Sequence, residues 1–438
     1  MTAVGNDGQH SAESSAWVRT GRPPPWMIAA LALLAVALAT IGLLVWAPWQ
    51  PDGPPPPVTS TSPVPPAGLT GEVLPDTTIE LQWEPAPADS AAVAEWEIRR
   101  DGEVVDHATE TQTTVPHDGF HSYTVVAVGE DGQRSRESEN WNSPPAWQNL
   151  EDTGFQETFD AAGVAEHNGE LWVVGGGHGT RNDVRVLDPQ TGEWRDGPKL
   201  PMAISHAALV STGQWIYLLG GITATKDDIG VPLATVYRLD PEDPNGTWIE
   251  DVPLPAPRYS GAAAWDGQRL VFAGGAEQFE PRTPRLSAAD IWELRSGNWE
   301  PVGQLTQARE HLAAVTNEEG TIWFVGGADV GSNSVFANVD VFSSDTASSS
   351  TAISTAVSGA AAAWTSATGV CVFGGSTVVP NQISEPVDEV ECLDGPDPGW
   401  PDLPEPRYNA GAVVIDSTVY VVGGGSAPEN TVLALRFG

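Results

Sequence analysis

Three arginines open similar phrases in the second half of the chain: APRYSGAAA with Arg258 and Tyr259, QAREHLAAV with Arg309, Glu310 and His311, and EPRYNAGAV with Arg407 and Tyr408. A guanidinium is planar and permanently charged, and its paired N–H groups match both oxygens of a carboxylate. Three of them brought together in an acidic protein would invert the local potential and hold a carboxylate-bearing ligand. The competing use of each is an ion pair with an acidic neighbour. Glu310 beside Arg309 is the one loose candidate for acid/base chemistry. His206 stands at a position similar to His311 and reads as a packed or capping histidine, and His178 as a loop residue. The two cysteines, Cys371 and Cys392, lack the clustered histidines that a four-ligand metal set would need, so neither a metal nor a cofactor is expected.

Composition narrows the partners. The formal charge is −38 and only 18% of residues are charged, so nucleic acid is excluded as a partner by repulsion from its phosphates. The 46 Gly, 38 Pro and 18 Trp point to a turn-rich all-β chain.

The elements that must position the arginines repeat. LWVVGGG (171–177) returns as IYLLGG (216–221), LVFAGG (270–275), IWFVGG (322–327), VCVFGG (370–375) and VYVVGGG (419–425). The second copy lays out a whole unit of four short strands: HAALV (206–210), WIYLLGG (215–221), TVYRLDP (235–241) and TWIEDVPLP (247–255). The glycine pairs recur about every 45–54 residues, the period of propeller blades. An apolar strand, a glycine pair, an apolar or aromatic residue before Asp, and a Trp ahead of Leu-Pro together resemble the kelch repeat over about 147–438. The resemblance implies a six-bladed kelch-type β-propeller, 146–438, with four-stranded blades around a channel. It also implies arginines near the channel mouth, where some kelch proteins use them to hold a ligand carboxylate. Glycine suits a sharp turn beside a packed neighbour.

The last unit lacks a fourth strand, whereas AWQNLEDTGF (146–155), before the first repeat, resembles one through Trp147 and Leu150. Pairing the two would close the ring and remove its open edges. The unit around Gly326-Gly327 has SSDTASSSTAIS in place of the tryptophan, which predicts an irregular outer edge there. Cys371 and Cys392 fall on the second and third strands of one unit, and a cross-strand disulfide is expected, with two buried thiols as the alternative. The polar loops 222–234, 276–288 and 376–388 are expected to form a recognition surface.

Upstream, 26–48 reads as a transmembrane signal-anchor helix. WMIAALALLAVALATIGLLVW is uncharged and spans roughly 31 Å as a helix. Arg19 and Arg22 precede it, which puts the tail 1–25 in the cytoplasm and the rest outside. A cleaved secretory signal is the alternative. Residues 49–68 form a Pro-rich linker. Residues 69–143 alternate in short runs, and Leu81-x-Trp83-x-Pro85, Trp96-x-Ile98 and Tyr123–Val128 resemble a fibronectin type III-like β-sandwich.

These features together indicate a single-pass, membrane-anchored extracytoplasmic binding protein. It would contact the bilayer through 26–48 and present the propeller to a protein, peptide or glycan ligand. Its candidate contacts are Arg258, Tyr259, Arg309, Glu310, His311, Arg407 and Tyr408. The alternative is an enzyme similar to the sugar epimerases (mutarotases) of this fold. A copper-radical oxidase is disfavoured because the cysteines pair with each other, tyrosine is scarce and no His pair sits in a late repeat.

Overall fold

The computed structural model describes residues 62–437, apart from 76, 89, 151–158, 225–228, 278–285, 344–345, 381–384, 394, 396–397 and 426–430. The expected tail 1–25 and anchor 26–48 lie outside the described residues, as does most of the linker. Among the described residues no helix is long and apolar enough to cross a membrane.

Ser62 onwards already belongs to the first domain, which corrects the end of the expected linker. Pro63 and Pro66 are buried, the Ser62 hydroxyl donates to Gln133 Oε1 at 2.8 Å, and the Glu84 N–H donates to the Ala67 carbonyl at 2.8 Å. Proline is tolerated there because the segment carries no ladder of its own. The domain is a β-sandwich. One sheet holds Thr70–Val73, Thr78–Gln82 and Gln112–Pro116. The other holds Glu103–Ala108, Val93–Arg100, Ser122–Gly129 and Arg134–Glu137, with Trp141–Asn142 added beside Ser122–Gly129. Inward residues of both sheets meet in one core of Ile79, Leu81, Trp83, Trp96, Ile98, Val115, Tyr123, Val125 and Ala127.

Among the described residues the glycine-marked repeats form six antiparallel sheets that follow one another along the chain. In the second, Ala208–Ser211, Ile216–Leu219, Val236–Leu239 and Ile249–Asp251 lie side by side in chain order. The inner strand of each sheet packs against the inner strand of the next, and that of the last sheet, Gly411–Ile415, against that of the first, Gly163–His167.

Period-2 geometry explains why the second strands are apolar on both faces. Ile216 and Leu218 join a core shared with the first sheet, whereas Tyr217 and Leu219 join one shared with the third. Each neighbouring pair of sheets encloses one such core, and Phe159, Leu171, Val173, Tyr420 and Val422 fill the one between last and first. Inner strands such as AAAW (262–265) and AAAWT (361–365) are alanine-rich. Small side chains suit the crowded axis.

Closure occurs as the sequence predicts. Trp147–Leu150 pairs antiparallel with Val432–Arg436, matching Leu435 to Trp147 and Val432 to Leu150, so an early strand completes the last sheet. The remainder of 146–155 lies outside the described residues.

One expectation fails. The Ser-rich stretch provides a strand, Thr346–Ala352, paired along Asn338–Ser343 with a single register shift. The irregular rim belongs to the following sheet, which has three strands among the described residues. There Trp400, off the ladder, stacks on Phe373 at 6.4 Å and packs against Phe437 at 5.2 Å.

Candidate functional site

The glycine pair follows the second strand in five sheets and lies one residue before its end in the fifth, Gly369–Ser376. Gly274 has φ +65°, and a Cβ on it would stand 2.7 Å from the Arg309 carbonyl oxygen of the next sheet. The neighbouring Gly275 N–H donates to that same oxygen at 2.9 Å. Only glycine accepts that backbone conformation and that approach together.

Two residues beyond each such carbonyl the chain turns left-handed. Ala161, His206, Ser260, His311 and Asn409 have φ of 51°, 54°, 51°, 53° and 56°, and Gly359 has 65°. Their backbones form a closed circle. The His206 N–H donates to Ala161 O (2.9 Å), Ser260 to His206 (2.8 Å), His311 to Ser260 (2.7 Å), Gly359 to His311 (2.7 Å), Asn409 to Gly359 (2.7 Å) and Ala161 back to Asn409 (3.2 Å). One residue comes from the start of each sheet's inner strand. These six, with the residues that follow them, line a cavity of about 110 Å³ at this end of the channel. Toward the far ends of the inner strands the channel widens to about 490 Å³, between polar residues such as Glu166, Asn168, Ser211 and Thr316 and the Trp265 ring.

The expected ligand residues divide sharply against this frame. Of Arg258, Tyr259, Arg309, Glu310, His311, Arg407 and Tyr408, only His311 lines the cavity. The three arginines are 2%, 0% and 1% exposed. Arg258 pairs with Asp290 (3.2 Å) and Glu277 (2.9 Å) and lies over the Trp292 ring at 4.6 Å. Arg309 pairs with Asp340 at 3.2 Å and donates to the Phe324 carbonyl at 3.1 Å. Arg407 donates to the Gly423 carbonyl (3.1 Å) and Thr431 Oγ1 (3.2 Å). Convergence on a ligand carboxylate is therefore corrected: Arg258 and Arg309 are turned back into their own sheets, toward carboxylates on the third strand. Burial lowers the Arg309 pKa, with Asp340 opposing, and burial pushes Arg407 down to about 10. Tyr259 is buried and bridges to Ala276, and part-buried Tyr408 bridges to Gly425.

The structure gathers a different set. Ser260 Oγ lies 3.1 Å from His311 Nε2, and Ser205 Oγ lies 2.9 Å from His206 Nδ1. The His206 and His311 rings meet edge-on at 5.7 Å. His311 Nδ1 is 3.7 Å from a carboxylate oxygen of fully buried Glu310. Sequence reasoning passed over Ser260, Asn409, Ala161 and Gly359 because their common property is a backbone conformation. The available signal was position, two residues after Arg258, Val357 and Arg407 and before each inner strand.

The loops expected as a recognition surface leave the second strands at this same end. Ile222–Ala224 and Ile229–Pro232 form a hairpin in 222–234, and Ala276 bridges Ser287 in 276–288. Cys371 and Cys392 are directly opposed on neighbouring strands and joined as a disulfide. Among the described residues no group of three or more His, Cys, Asp and Glu is placed to hold a metal ion.

Similarity to known proteins follows the same repeats. Residues 160–201 match the Kelch motif. The chain is 27% identical over 186 residues to beta-scruin of Limulus polyphemus, covering 41% of this chain and 20% of that protein. It is 23% identical over 209 residues to Kelch-like protein 38 of Rattus norvegicus, covering 44% and 35%. It thus spans a fifth to a third of the length of these relatives. In fold it is similar to the structure of YjhT, with a TM-score of 0.55 and 13% identity over 64% of this chain and 98% of the other. Kelch motif, radial sheets and matching fold agree: the repeat region is a β-propeller similar to those of kelch-repeat proteins.

Proposed function

We propose that this chain is an interaction protein that presents a six-bladed kelch propeller to a partner at the ring end of its channel. The observation that carries the reading is the gathering of the loops after the glycine pairs around one mouth, beside the polar residues His206, Ser260, His311 and Asn409. Loops held on a rigid scaffold are where binding surfaces concentrate. A protein partner fits the kelch repeats, and a peptide or glycan would engage the same mouth. The arginines serve the scaffold and orient the carbonyls that the glycine pairs grip.

The anchor 26–48 would hold the propeller on the outer face of a membrane. The sandwich, read as a fibronectin type III-like spacer, would set its distance from the bilayer. Support for that spacer is the arrangement of a three-stranded sheet facing a five-stranded one, with the Trp83 and Trp96 rings 5.9 Å apart between them.

Site-specific photocrosslinking of the full chain in its membrane tests the reading. A crosslinker replacing Leu286, which is 56% exposed on the 276–288 loop, is expected to capture a partner. One replacing Gln268, in a turn at the opposite end, is expected to capture none. Capture from Gln268 alone would place the interaction surface on the wrong face.

A further inference from the structure

At the channel mouth a buried carboxylate, an imidazole and a hydroxyl stand in line. Glu310 is fully buried, with Oε2 3.7 Å from His311 Nδ1. The other nitrogen, Nε2, lies 3.1 Å from Ser260 Oγ. Ser260 and His311 both line the cavity of about 110 Å³. The Oγ–Nε2 distance is within the reach of a nucleophile and its base, and such contacts tighten when substrate binds. The shared left-handed backbone brings this about: it turns two consecutive ring residues, from neighbouring sheets, toward one another across the His311 N–H···O Ser260 bond of 2.7 Å.

We propose that Ser260 is an acyl-accepting nucleophile, His311 its general base and Glu310 the positioning residue that holds the imidazole, and that the site hydrolyses short-chain acyl esters. Ser260 Oγ attacks the ester carbonyl and its proton passes to His311 Nε2. The new Oγ–C bond forms, the carbon–alkoxide bond breaks, and the alkoxide leaves as an alcohol with the proton from Nε2. Water, deprotonated by the same nitrogen, then releases the carboxylic acid and restores Ser260. Asn409 and His206 line the same cavity; with their backbone amides held in the ring, their side-chain N–H groups would serve the developing oxyanion. The small cavity of about 110 Å³ suits a short acyl group.

The test is covalent labelling of the full chain with a fluorophosphonate, read by mass spectrometry of the modified peptide. The expected result is one adduct, on Ser260, absent from Ser260→Ala. That variant should fold, because Ala161 occupies the equivalent ring position at φ 51°. His311→Asn, in a residue type tolerant of the left-handed region, should slow labelling roughly 100-fold. Glu310→Gln should slow it less and displace the pH profile of labelling, which a purely structural carboxylate would leave in place. Wild-type protein that stays unlabelled, or equal labelling of Ser260→Ala, would overturn the assignment.

Discussion

The inner and outer ends of the propeller sheets obey different rules. At the axis every sheet contributes the same backbone geometry: a left-handed residue, a hydrogen bond to each neighbour and a glycine pair beside a carbonyl. At the rim the devices vary. Trp248 Nε1 donates to the Pro198 carbonyl at 2.7 Å, Trp299 to Val252 at 3.0 Å and Trp147 to Pro401 at 2.9 Å, each tying one sheet to the one before. The fourth sheet dispenses with the tryptophan, and the fifth lacks a fourth strand among the described residues. Crowding accounts for the contrast. Near the axis the inner strands converge and a single atom matters, whereas the wide gap at larger radius accepts any large ring or none.

Substitutions at the two radii should separate accordingly. Gly274→Val puts a branched Cβ against the Arg309 carbonyl at positive φ, and should cost about 4 kcal/mol or more, read by denaturant unfolding. Just behind the ring, Arg309→Met leaves Asp340 buried without its cation, although Thr306 still donates to it through its N–H and hydroxyl. A loss of about 3 kcal/mol is expected. At the rim, Trp147→Ala should cost about 2 kcal/mol, since that ring is only part-buried. A rim loss exceeding the loss at Gly274 would reverse the comparison.

The sandwich offers a smaller effect with a pH signature. Hydrogen bonding from Arg134 holds the Glu97 carboxyl below its ordinary range, with Arg99 adding to it and burial opposing. A depressed carboxylate pKa stabilises the fold above the unfolded value of about 4.3 and loses that contribution as pH falls through the folded value. Glu97→Gln should therefore cost about 1–2 kcal/mol at pH 7, with the gap to wild type closing below about pH 4. A gap independent of pH would mean that the pair contributes packing alone.

Legibility followed the same radial division. The glycine doublets, the four-strand grammar, the latch at Trp147 and the Cys371–Cys392 pairing were readable, because turn chemistry and period-2 patterning are local. The destination of the arginines was not. Asp290 and Asp340 lie on third strands, a whole hairpin away, and nothing beside Arg258 or Arg309 announces them. The ring was equally hidden, since Ala, His, Ser, Gly and Asn share a conformation and no side-chain chemistry. The Ser-rich strand misled because a missing tryptophan is a side-chain signal and pairing is a backbone property.

Closure of the sheets through one continuous circle of backbone hydrogen bonds is the claim on which the binding face and the mouth chemistry both rest. Native-state amide exchange at Ala161, His206, Ser260, His311, Gly359 and Asn409 tests it most directly. All six amides should exchange together, at the rate of global unfolding, and all should speed up together in Trp147→Ala. Fast exchange at Ala161, whose N–H donates to Asn409 across that seam, with the other five protected, would show a ring open between the last sheet and the first.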